Sequence, residues 1–141
     1  MSRTQNRQQN PGTEAAMHAQ AQPPRVTQLA ALATATLRIG TIASDLHGSP
    51  LVPEATQNAF WTLREHALRV STRFDHAWER IITREPPTDQ ALQGLATLAG
   101  GADDALAKAH NSPTETRLLY ALSSASTSLD RTDAMFDMLT S

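Results

Sequence analysis

From residue 25 to the end of the chain, apolar side chains recur at alternating spacings of three and four, and each such stretch is bounded by Pro, Gly or a capping residue. That pattern predicts four amphipathic helices, at about 26–47, 53–84, 88–110 and 113–140. The first carries Leu29, Leu32, Ala33, Thr36, Ile39, Ala43 and Leu46 on one face, and Gly48 suits the left-handed position that closes a helix. The second starts where Pro53 takes the first helical position with Glu54 near the positive end of the dipole. At 1.5 Å per residue it spans about 45 Å. Its inward stripe is Phe60, Leu63, Ala67, Val70, Phe74, Ala77 and Ile81, widened by Trp61, Leu68, Trp78 and Ile82. Pro86 and Pro87 end it.

Thr88 can cap the third helix, whose face is Leu92, Leu95, Ala99, Ala102 and Leu106. Gly94, Gly100 and Gly101 interrupt it at about 1 kcal/mol each relative to Ala, so they either permit close helix contact or mark a kink. The fourth start has the densest punctuation: Asn111 to close the third helix, Ser112 as N-cap, Pro113 at the first helical position and Glu115 completing a capping box. Its stripe is Leu118, Leu122, Ala125, Leu129, Thr132, Phe136 and Leu139.

Turns of a few residues between long helices make sequential helices antiparallel. The expected fold is therefore all-α, an up-down-up-down antiparallel four-helix bundle over 25–141. A pair of helical hairpins that completes its core only as a dimer is the alternative. Beyond the initial Met1, residues 2–24 hold one large apolar side chain, Met17, among Gln, Asn, Pro and Gly; residues 1–24 cannot bury enough surface to offset ordering entropy, and a disordered N-terminal arm is expected, with at most a helical turn over 14–21.

Composition supports helix and narrows the chemistry. Of 141 residues, 23 are Ala and 16 Leu, with few β-branched apolar residues. Eleven Arg against one Lys is the bias of a GC-rich bacterial genome. The absence of Cys removes disulfides, thiol nucleophiles and Cys-based metal sites together. No uninterrupted apolar run has the length of a membrane span and residues 1–25 lack a signal-peptide core, so no membrane role is expected and a cytoplasmic location is.

A di-iron bundle needs Glu-x-x-His on two helices, and the chain has none. His76 and Glu79 could meet at i,i+3, but two ligands on one helix make no site, so neither metal nor cofactor is expected. No Gly-rich phosphate loop, nucleophile elbow or zinc-protease motif occurs. Asp103 and Asp104 point about 100° apart on a helix and suit dipole stabilisation better than acid/base pairing. The run Ser123, Ser124, Ser126, Thr127 and Ser128 has no neighbouring His in sequence. The chain is expected not to be an enzyme.

Arginines on the second helix invite a nucleic-acid role, but over 53–85 five Arg face five acids. Balanced charge at i,i+4 spacing is a solvated face rather than a phosphate-binding one. Charge does segregate along the chain, with a net of +2 over 1–47 and −4 over 86–141. Arg3, Arg7 and Arg25 are thus candidate contacts to nucleic acid or to an acidic partner. Trp61 and Trp78 lie seventeen positions apart, a rotation of about −100°. Either at least one leaves the core line and anchors an interface, or both flank a wide buried face. With Leu68 and Ile82 they form the candidate interface. The function expected is a non-catalytic helical interaction protein, such as an adaptor, chaperone or accessory subunit, that binds a protein partner or itself as a homo-oligomer; a DNA-associated accessory factor is the disfavoured alternative.

Overall fold

Residues 24–83 and 87–140 are described by the computed structural model, the side chain of residue 140 excepted. They form α1 (Pro24–His47), α2 (Glu54–Thr83), α3 (Asp89–Asn111) and α4 (Glu115–Thr140). The arm expected over 1–24 lies, apart from Pro24, outside the described residues. Helix ends fall within two residues of the predicted ones, and the differences come from proline and capping chemistry. Pro24 opens α1, where a missing N–H costs nothing. The carbonyl of Pro53 accepts the first bond of α2, from Gln57 N, so Pro53 sits just before that helix.

At α4 the N-cap is Thr114, not Ser112: Thr114 Oγ1 accepts from Arg117 N, and Glu115 becomes the first helical residue rather than half of a capping box. Ser112 is occupied in ending α3, its N–H donating to the Lys108 carbonyl. A residue preceding proline also resists the helical conformation that continuing from Ser112 through Pro113 would need. Thr88 caps α3 as expected, accepting from Ala91 N. Gly48 is no left-handed cap; its N–H extends the α1 ladder to Ser44 O, at an ordinary φ.

One chain closes the core by itself, as an up-down-up-down bundle. Its ring order, however, does not follow the chain. Helix α1 packs on α2 and α3, and α4 packs on α3 and α2, which leaves α2 and α3 across a diagonal although they are consecutive. The seams α1/α2 and α3/α4 are antiparallel, and the seams α1/α3 and α2/α4 parallel. The core holds Phe60, Phe136, Leu29, Leu32, Ile39, Leu46, Ile81, Leu92, Leu106 and Leu129, all fully buried. The expected stripes are buried except at their margins: Ala33, Ala77, Leu95 and Leu122 are only half-buried, while Ala35, Gly40, Ala121, Ser128 and Met135 join the interior. Each helix has two neighbours, and a two-sided contact buries a wider arc than one stripe.

The close contact between helices occurs at Gly40 of α1, where a Cβ would stand 3.3 Å from the Ala67 Cβ of α2. At Gly94, Gly100 and Gly101 nothing lies within 4 Å of a new Cβ, and α3 runs through all three as helix. The close-contact explanation for those glycines therefore fails. The expectation about membranes is also qualified: α1 has no uninterrupted apolar run, but its Ala, Thr and Gly content gives an 18-residue window of mean hydropathy 1.2, long and apolar enough by composition to cross a bilayer. In the bundle that composition supplies the core face of α1.

Two opposite stability effects follow. Gly100→Ala and Gly101→Ala should each raise unfolding free energy in urea by about 0.5–1 kcal/mol, because helix propensity improves with nothing displaced. Gly40→Leu should lower it by about 1–3 kcal/mol through overpacking against Ala67.

Candidate interaction face

Helix α2 points both apolar and charged side chains outward. Trp61 and Leu68, seven residues apart and so on one face, are each 44% exposed. Trp78 and Ile82 instead pack half-buried against the core edge. The four residues of the candidate interface are thus divided, with Trp61 and Leu68 on open surface.

The first pair has a companion that the spacing pattern did not single out. Leu37 of α1, 57% exposed, faces Leu68 across a groove of about 300 Å³ between α1 and α2. Its floor is made of small residues: Thr36, Gly40 and Ala67 are buried there, and the Gly40–Ala67 approach is what keeps the groove open between the leucines. Thr36 Oγ1 donates back to the Leu32 carbonyl. Ser71, which also lines the groove, has a buried Oγ with no hydrogen-bond partner among the described residues. A large apolar residue off the three-and-four stripe was the available signal for Leu37; Gly40 carried none, since its role depends on what the neighbouring helix places opposite.

Trp61 continues the face toward the α1–α2 turn and is held in place. Its ring lies 4.9 Å from the His47 ring, tilted by 48°, and the Arg64 guanidinium sits 4.7 Å from its centroid. His47 Nδ1–H donates to the Gln57 carbonyl, and Gln57 Nε2 donates to the Ser49 carbonyl at 2.6 Å. Arg64 also pairs with Glu65 at 2.9 Å. The indole is therefore presented in one orientation, with Arg64 and Asp45 bracketing the groove at its turn end.

Several other charged residues are used between helices. Arg25, a candidate contact for nucleic acid or an acidic partner, is a clasp at one end: its Nε donates to Asp89 at 3.1 Å and its NH1 to the Ile81 carbonyl at 3.0 Å. It thereby ties the start of α1 to the start of α3 and to the last turn of α2. Arg3 and Arg7 lie outside the described residues. Arg38 of α1 pairs with Asp103 of α3 at 2.7 Å, so Asp103 sits mid-helix in an interhelical ion pair, not at a helix N-terminus.

On α2/α4, Arg73 reaches Asp133 at 3.0 Å and Asp137 at 2.9 Å, while His66 Nε2–H donates to Asp133. The Asp137 hydrogen bond, with that of Asp133, outweighs burial and holds the Arg73 guanidinium charged even above its ordinary range. Its guanidinium also covers the Phe136 ring at 5.0 Å, and Phe136 meets Phe74 edge-to-face at 5.0 Å. The segregated charge in the sequence is thus spent largely between helices.

The fold brings His66 to the same α2/α4 groove as Ser123 and Ser126, which sequence separation concealed. Both ring nitrogens face carboxylates, Nε2 toward Asp133 and Nδ1 toward Asp130 at 4.0 Å, and no hydrogen bond joins His66 to either serine among the described residues. A base directed at a nucleophile is not what this arrangement provides. Among the described residues no three His, Asp or Glu side chains converge as a metal would require.

No family model, curated protein or solved structure matches this chain.

The Asp133 side chain is 30% exposed and that of Asp137 72%, so their replacements should differ. Asp133→Asn should cost about 1 kcal/mol in urea unfolding, the scale of a partly exposed ion pair. Asp137→Asn should cost less, and 1 M NaCl should narrow the difference.

Proposed function

We propose that this protein is a helical interaction module that acts through its α1/α2 face, with a second copy of the same chain as the partner the geometry fits best. The observation that carries this is the exposed set Trp61, Leu68 and Leu37 around a groove floored by Gly40 and Ala67. An aromatic anchor with apolar neighbours is the usual composition of an interface centre, and a preoriented indole loses little freedom on binding.

Self-association is favoured by the contents of the face. It presents two protruding leucines and a groove with small residues at its floor, and it carries both Arg64 and Asp45 at one end. A two-fold axis places the same patch on both copies, so each leucine ridge finds a groove and each Arg64 can approach the other copy's Asp45. The Ser71 hydroxyl, unpartnered among the described residues, gains an acceptor or donor across such a contact. An adaptor or accessory-subunit role with a different polypeptide uses the same face and the same residues.

Light scattering over a concentration series tests it. The full chain should reach a dimeric mass, and Leu68→Asp should return it to the monomeric mass with its thermal midpoint unchanged, whereas Tyr120→Ser, on an exposed part of α4, should have no effect. A monomeric mass at every concentration removes self-association. The adaptor reading then requires that a protein co-purifying with the wild-type chain be lost with Leu68→Asp.

A further inference from the structure

A second apolar surface lies on the opposite side of the ring. Between α3 and α4 runs a groove of about 620 Å³, within the range of roughly 300–1,000 Å³ that small-molecule sites occupy. Leu95 and Leu98 of α3 and Ala134 and Met135 of α4 form its walls. Gly94 opens the α3 side, since nothing stands within 4 Å of where a Cβ would be. That glycine weakens its helix and packs closely against no other side chain, so the space beside it is left unfilled by the described residues.

Because α3 and α4 are antiparallel, the groove has two unlike ends. One is apolar: Pro87, buried just ahead of α3, and Ala91 stand there opposite the last turns of α4. The other holds the polar groups, Thr97 of α3 and Arg131 of α4, and nothing in the bundle engages them. Thr62, Thr72 and Thr83 each donate to the carbonyl four residues back, but the Thr97 hydroxyl makes no hydrogen bond among the described residues, and the Arg131 guanidinium makes neither a hydrogen bond nor an ion pair among them. No carboxylate among the described residues lines the groove; that of Asp130, the neighbour of Arg131 in the chain, lies 4.0 Å from His66 on the α2 side. The lining thus carries one formal charge, a positive one, at one end of an apolar trough.

Such a trough is the complement of a hydrocarbon tail that ends in an anion. We infer that the α3/α4 groove binds a medium-chain fatty carboxylate, with its tail lying over Gly94 toward Pro87 and its head on Arg131, where Thr97 can donate a further hydrogen bond. The guanidinium fork matches a carboxylate with two parallel hydrogen bonds. The seven helical steps from Ala91 to Leu98 cover about 10 Å, which sets the tail at medium length, and the unbranched, polarizable side chain of Met135 adapts to a flexible chain. An extended peptide would bring N–H and C=O groups against walls that offer them no partner, at a cost a hydrocarbon does not meet.

The site shares no lining residue with the α1/α2 groove and stands whether or not that face self-associates. Its test is a titration of the isotope-labelled full chain with sodium octanoate, kept below the concentration at which it forms micelles, while amide signals are recorded. Signals of residues 91–98 and 131–135 should shift saturably, and those around Leu37 and Leu68 should not. Arg131→Gln, which removes no bond among the described residues, should weaken octanoate binding at least about tenfold, the scale of hydrogen bonds to a charged group. Arg117→Gln, elsewhere on α4, should leave it unchanged, and octan-1-ol should bind the parent and Arg131→Gln equally. Gly94→Leu, which fills the space over the α3 wall, should abolish binding; if it alters the fold, the Arg131→Gln comparison decides. Absence of saturable shifts overturns the inference, as does octanoate binding that Arg131→Gln leaves intact or that Arg117→Gln weakens as much. Shifts spread over all exposed apolar residues mark detergent-like adsorption and overturn it too. A co-purifying protein lost with Gly94→Leu, in a chain that ignores octanoate, overturns it and assigns the groove to a polypeptide.

Discussion

Pairing between opposite charges across the two parallel seams is what selects this ring from the alternatives open to four amphipathic helices. Arg25 and Arg38 of α1 reach Asp89 and Asp103 of α3, and His66 and Arg73 of α2 reach Asp133 and Asp137 of α4. Among the described residues every interhelical ion pair lies on one of these seams, and none crosses an antiparallel one. Parallel neighbours set like dipole ends side by side, an arrangement that gains nothing from the helix macrodipole. Such pairs are individually worth little in stability. Their effect is on choice: with the helices in chain order around the ring, α1 and α3 would be diagonal and these arginines would lose their carboxylates. The apolar core supplies the stability of either order, and the charges separate them.

The antiparallel seams, which no ion pair crosses among the described residues, carry two apolar grooves. On α1/α2 small residues bring the backbones together, and the large apolar side chains are displaced to the rim as Leu37 and Leu68. On α3/α4 Gly94, Ala91 and Ala134 leave a wider channel. A bundle with Leu at those positions would have filled both grooves from within. The high alanine content thus has a structural consequence beyond helix propensity: it keeps the core thin and leaves two apolar grooves on its outside.

Much of the architecture could be read from local chemistry. The four helices, their antiparallel succession and most buried positions follow from three-and-four spacing and from Pro, Gly, Thr and Ser at the ends. Local reading failed where two signals competed. Ser112 can cap a new helix or end the old one, and the proline after it decided for the latter, moving the N-cap to Thr114. Gly100 and Gly101 suggested either close contact or a kink, and nothing packs against them, while the glycine that does pack, Gly40, stands in an ordinary Ile-Gly-Thr. Ring order was out of reach, because Arg38 and Asp103 are 65 residues apart and no periodicity relates them. The charge imbalance along the chain was visible; that Arg25 and Arg38 of α1 bond to α3 and α2 was not. At the candidate face, Trp61 and Leu68 were legible as surplus apolar surface; Leu37 and the groove required the neighbouring helix.

Thiol cross-linking of one seam tests the ring order most directly. In a chain without native cysteine, Arg38→Cys with Asp103→Cys places two thiols on the adjacent, parallel helices α1 and α3, where the native side chains meet at 2.7 Å. A bifunctional reagent of about 8 Å reach, the spacing of packed helices, should join them within one chain in high yield, with helicity and unfolding midpoint close to the parent's. Two free thiols after reaction, in a variant that is otherwise natively folded, would place α1 and α3 on a diagonal and contradict the ring order.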